Sequence, residues 1–99
     1  MPSGELKVRW LKAAIKSLEI EADYIAWDDP RAAAEVVRKV YEATKRLEQY
    51  PASGRAGRVP ETRELIIPGT PYLVPYRIKG KRIEILRVFH GARRWPTDF

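Results

Sequence analysis

The spacing of hydrophobic positions changes several times along the chain, and each change predicts an element. Leu6, Val8 and Trp10 alternate with Lys7 and Arg9, which predicts a short strand over 6–10. From 11 to 27 the period lengthens. Leu11, Ile15, Leu18, Ala22 and Ile25 recur at steps of three and four, the stripe of an amphipathic helix. Asp28-Asp29-Pro30 then breaks the pattern and restarts it. Asp29 is suited to cap a second helix because its carboxylate accepts from orphan backbone N–H groups. Pro30 falls at the first helical position, where its missing N–H costs nothing. This helix is predicted from about Pro30 to Gln49, with Ala33, Val36, Val37, Val40, Tyr41, Ala43, Thr44 and Leu47 on its buried stripe. The very short turn between the helices predicts an antiparallel helical hairpin.

Tyr50 to Thr62 reads as a loop, broken by Pro51, Ser53, Gly54, Gly57 and Pro60. Three strands follow: Arg63–Ile67, Tyr72–Lys79 and Arg82–His90, with Gly80-Lys81 as a tight hairpin turn. Pro75 lies inside the second of these and predicts a bulge or an edge-facing position, since proline cannot donate to a ladder. The order β-α-α-β-β-β predicts an α+β fold, with the hairpin on one face of a mostly antiparallel four-stranded sheet. The opposite face is then left to solvent or a partner. With 99 residues, the chain fits a single domain, 1–99, around one core.

Composition narrows the chemistry. There is no cysteine and only one histidine, which excludes a disulfide framework, a thiolate metal site and a cysteine nucleophile, and makes a zinc site improbable on composition. No metal or cofactor is expected. No apolar run reaches the ~20 residues needed to span a bilayer. The polar N-terminus lacks the apolar stretch of a signal peptide, so a cytoplasmic location and no membrane partner are expected. A net charge of +6 favours an anionic partner such as RNA, DNA, the ribosome or an acidic protein.

Several local patterns stand in a set order. They are Asp23-Tyr24-Ile25-Ala26, Asp29-Pro30 before Ala32-Ala33, and Leu47-Glu48-Gln49-Tyr50-Pro51. After these come Gly54-Arg55, Thr62-Arg63-Glu64-Leu65, Tyr72 to Tyr76, and Ile85-Leu86-Arg87-Val88-Phe89-His90-Gly91-Ala92-Arg93. In this order the chain resembles the RelE/ParE toxins of bacterial type II toxin–antitoxin systems, over nearly its whole length. The resemblance implies a growth-inhibiting toxin held inactive by a cognate RelB- or ParD-like antitoxin. The leading reading is a RelE-like, ribosome-dependent mRNA endonuclease that needs no metal. The alternative is a ParE-like poison of DNA gyrase without nuclease activity. A third is a degenerate toxin that only binds its antitoxin.

RNA cleavage through the ribose 2′-OH needs a base, an acid and cations for the phosphorane. His90 is the candidate acid or base, since imidazole as a side-chain type suits proton transfer at physiological pH, with a structural imidazole at the sheet edge as the plainer reading. Arg63 and Arg93 are the candidate phosphate clamps, and Arg87 and Arg94 further phosphate-facing cations; a solvated basic face is the alternative. Arg55 and Arg58 put two cations in the loop as candidate target contacts. Tyr72 and Tyr76 share one side of their strand, where they either stack on bases or enter the core. Trp10 and Trp27 are assigned to structure. In RelE-like nucleases a cationic residue precedes the Leu-Val-x-Tyr stretch, and here that place holds Tyr72. The open sheet face and the basic surface are expected to be covered by an acidic antitoxin segment that folds on binding.

Overall fold

The computed structural model describes residues 6–91. Strand β1 (Lys7–Trp10) leads into α1 (Lys12–Asp28) and α2 (Pro30–Lys45), and α2 tightens into a 3₁₀ turn at Arg46–Glu48. Five further strands follow: β2 (Arg55–Ala56), β3 (Arg63–Ile66), β4 (Tyr72–Lys79), β5 (Arg82–Ile85) and β6 (Phe89–His90). The sheet order is β1-β5-β4-β3-β2, with β6 also pairing to β4. All pairs are antiparallel except β1 with β5, which run parallel because the helical hairpin carries the chain back across the sheet. The predicted α+β architecture is what forms, with one strand more in the loop and one strand split in two. Among the described residues, no helix is long and apolar enough to cross a membrane.

Asp29 caps α2 as its position predicts. Its carboxylate accepts from the N–H groups of Arg31 and Ala32, both at 3.1 Å, and Pro30 opens the helix. The buried face of α1 departs from the expected stripe. Ala14, Leu18 and Glu21 are buried, whereas Ile15 is 40% exposed. Leu18 and Ile25 fit either stripe, so periodicity alone could not distinguish two faces one residue apart. Ile20, Tyr24 and Trp27 follow at helical spacing on the far side of α1, and Trp27 is 89% exposed. Trp27, assigned to structure from the sequence, is therefore a surface residue. Trp10 does pack inward, with its ring 4.9 Å from that of Tyr41.

The core lies between the hairpin and one sheet face. It joins Ala14 and Leu18 of α1, Val40, Ala43 and Leu47 of the second helical segment, and Tyr72, Val74, Tyr76, Ile83 and Ile85 of the sheet.

Pro75 explains the split strand. Tyr76 pairs with Ile85 and Leu73 with Phe89, so two residues of β4 face three on the partner, Leu86 to Val88. This is a β-bulge. The Pro75 carbonyl accepts from the Leu86 N–H at 3.0 Å. The N and O of one strand residue point the same way, so the missing N–H of Pro75 also faces the bulge and breaks no ladder bond to β3. The bulge is tied to α1, because the Ser17 hydroxyl accepts from the Val88 N–H at 2.8 Å and donates to the Ala14 carbonyl. The edge of β1 is blunted similarly, with the Val8 N–H bonded to the Glu48 carboxylate at 2.9 Å.

Candidate functional site

The loop from Pro51 to Pro60 is held by three side chains of β3 and β4. Tyr76 is buried, and its hydroxyl accepts from the Gly54 N–H at 2.9 Å and donates to the Pro51 carbonyl at 2.8 Å. A Cβ at Gly54 would lie 2.6 Å from Tyr76 Cε1 and 3.0 Å from the Glu64 carbonyl oxygen, so only glycine lets the loop approach this closely. Arg63 donates to the carbonyls of Gly54 (2.8 Å) and Ala52 (3.3 Å). Glu64, 3% exposed, receives Arg55 (3.1 Å) and the Arg58 side chain and backbone N–H (both 2.9 Å). Burial alone would raise the Glu64 pKa, but the bonds from Arg58 and Arg55 outweigh it and hold the carboxyl below its ordinary value. Burial raises the Tyr76 pKa against the opposing pull of the Gly54 bond.

These contacts show where the structure places the candidate target-binding residues. Arg63 props the loop, because its Nη1 donates to both backbone carbonyls. Arg55 and Arg58 share one buried carboxylate, so only part of each guanidinium faces outward. Tyr72 and Tyr76 are 4% and 0% exposed. Base stacking by either ring is thereby excluded in this arrangement, and both take the core reading.

His90 is half-buried and meets Tyr72 edge-on, with ring centroids 5.6 Å apart. Register places it far from Arg63. Arg63 pairs with Tyr76 and His90 with Tyr72, on opposite sides of β4. Four residues of strand rise and two strand spacings separate them by roughly 16 Å, from ~3.3 Å per residue and ~4.8 Å per strand. The structure therefore does not bring Arg63 and His90 together. Arg87 is half-buried beside the bulge and donates to the Leu86 carbonyl at 2.7 Å. Arg93 and Arg94 lie outside the described residues. No metal-binding group of three or more His, Cys, Asp or Glu forms among the described residues.

The family model for the "ParE toxin of type II toxin-antitoxin system, parDE" matches residues 8–95. The chain belongs to the ParE toxin family. Its similarity to the "Putative toxin Y4kP" of Sinorhizobium fredii (strain NBRC 101917 / NGR234) is 46% identity over 91% of this chain and 93% of that protein. Among solved structures, the "Chromosomal ParDE TA system from P. aeruginosa" contains a chain similar at TM-score 0.80 and 32% identity, covering 89% of this chain and 98% of that one. The RelBE2 toxin–antitoxin complex from Mycobacterium tuberculosis is similar at TM-score 0.58 and 27% identity, covering 87% and 98%. This ParE-family chain is thus a type II toxin–antitoxin toxin, as the resemblance in its sequence implied.

Sequence reasoning passed over one feature of this ParE-family sheet. On the face away from the helices, registered neighbours bring Lys7, Arg82 and Lys79 abreast across β1, β5 and β4. The next row is Arg9, Glu84 and Arg77. The alternation of cations in each strand was a visible signal, but only pairing between distant strands turns it into a row.

Proposed function

We propose that this toxin arrests growth by binding its target, as a ParE-like poison of DNA gyrase, and not by cutting mRNA. One observation carries the reading: Arg63 and His90, the two described residues expected to perform RNA cleavage, do not converge. Arg63 is engaged by the Ala52 and Gly54 carbonyls. His90 packs against Tyr72 at the other end of β4. A phosphorane needs its acid, base and cations within about 3 Å of one reacting group. The family match supports the same branch.

An antitoxin holds the toxin inactive in this reading, which the likeness to two toxin–antitoxin systems supports. A segment that folds on binding gains most from apolar surface. Most such surface among the described residues lies on the helices, at Ile15, Ile20, Tyr24 and Trp27 of α1 and at Tyr41 of α2, against Ile66 and Ile78 on the sheet. We therefore assign the antitoxin to the helical side in preference to the open sheet face.

The test uses purified full-length chain in two reactions. Gyrase supercoiling is expected to be blocked, while mRNA in a translation reaction stays intact by primer extension. Cut mRNA with unaffected supercoiling overturns the reading. Growth arrest is expected to survive His90→Ala, measured by plating after induction without antitoxin. Loss of arrest with a folded His90→Ala protein restores His90 to a chemical role.

A further inference from the structure

Like charges directly opposite one another on a sheet destabilise it. The row Lys7, Arg82, Lys79 sets three cations abreast on three adjacent strands, with each neighbouring pair in direct register. Lys7, Arg9 and Lys79 are exposed and make no salt bridge with a described residue. Glu84 is the sole carboxylate among these two rows. It binds Arg77 at 2.7 Å and Arg82 at 3.6 Å, while their side chains remain 38% and 52% exposed. The Arg77 bond, then the fields of Arg77, Arg82 and Lys79, hold the Glu84 carboxyl below its ordinary pKa against burial, so it remains an anion at neutral pH. Glu84 therefore orients two guanidinium groups without cancelling the five cations around it.

We propose that this strip is a docking surface for the phosphate backbone of duplex DNA. Three strands make it roughly 10 Å wide at ~4.8 Å per strand. Duplex DNA carries about one charge per 1.7 Å of axis, so a stretch of that width offers about six phosphates. Single-stranded partners fit less well. Proteins that hold single strands interleave cations with aromatic platforms. Here Trp10, Tyr72 and Tyr76 all point to the helix side, and the two rows contain no aromatic residue. Contacts of this kind position a protein on DNA without reading its sequence. The inference concerns direct DNA binding and stands whether or not gyrase is the target.

The experiment is fluorescence anisotropy of a labelled 25-base-pair mixed-sequence duplex with the full-length chain, between about 30 and 200 mM salt. Binding is expected at low salt, with log K falling against log salt at a slope of about −3 to −5, as for three to five neutralised phosphates. The double variant Lys7→Glu/Lys79→Glu is expected to bind at least tenfold more weakly. Lys12→Glu/Lys16→Glu on α1 changes net charge equally and is expected to lose under threefold. Circular dichroism melts confirm folding, and Lys7→Gln/Lys79→Gln replaces the first pair if it does not fold. No duplex binding at low salt, equal losses in the two double variants, or tighter binding of single-stranded RNA of the same length would each overturn the proposal.

Discussion

Two arginine-rich regions share the sheet and behave in opposite ways. Around Glu64, three arginines are absorbed by the fold, with Arg55 and Arg58 on one buried carboxylate and Arg63 on loop carbonyls. Around Arg82, cations sit beside cations, and the one carboxylate is outnumbered. The first region spends positive charge on stability. The second leaves it available at a cost to stability. The role of an arginine is thus set by what faces it across the strand, which side-chain type alone does not reveal.

Changes in the first region should be the most damaging. Glu64→Ala leaves two guanidinium groups without their shared anion and should destabilise by about 3 kcal/mol, at the low end for a broken buried pair because both arginines are half exposed. Urea unfolding measures this, and a loss below about 1 kcal/mol would mean the loop is not held through Glu64. Tyr76→Phe orphans the Gly54 N–H and the Pro51 carbonyl, and should cost about 2 kcal/mol.

The pH dependence follows from the same carboxyl. The Glu64 pKa is lowered in the folded state, so its contribution is present above the unfolded value, 4.5, and is lost as pH falls through the folded value. Wild-type stability should therefore fall below pH 4.5, and Glu64→Gln should flatten that decline. A variant with the wild-type acid profile would assign the decline to other groups.

The second region predicts small gains. Lys7→Gln relieves one like-charge neighbour and should raise stability by a few tenths of a kcal/mol. An unchanged or lowered midpoint would mean the row carries no repulsive strain. Glu61 offers a backbone comparison, as its φ of 65° lies in the left-handed region. Glu61→Gly should stabilise by about 0.5 kcal/mol, visible as a higher thermal midpoint.

Much of the fold was legible in the residues. Asp29-Pro30 fixed a helix start, and Gly80-Lys81 a hairpin whose first residue adopts φ 61°. Pro75 announced a bulge or an edge-facing position, and pairing with the third strand made it a bulge opposite Leu86–Val88. The site was less legible. Tyr72 and Tyr76 allowed stacking or core by period alone, and burial by the helical hairpin decided for the core. Arg63 looked available until the loop it props was placed beside it.

By itself, the sequence determined the order of the main elements, the Asp29 cap, the α+β class and the toxin family, because these rest on local periodicity, turn chemistry and a whole-chain pattern. Tertiary structure alone decided which cations are spent and which are left. That depends on strand neighbours such as Lys7 and Arg82, which are 75 positions apart in the chain and adjacent in the sheet. Local spacing carries no record of such pairs, since they form only when the hairpin folds back and brings β1 alongside β5.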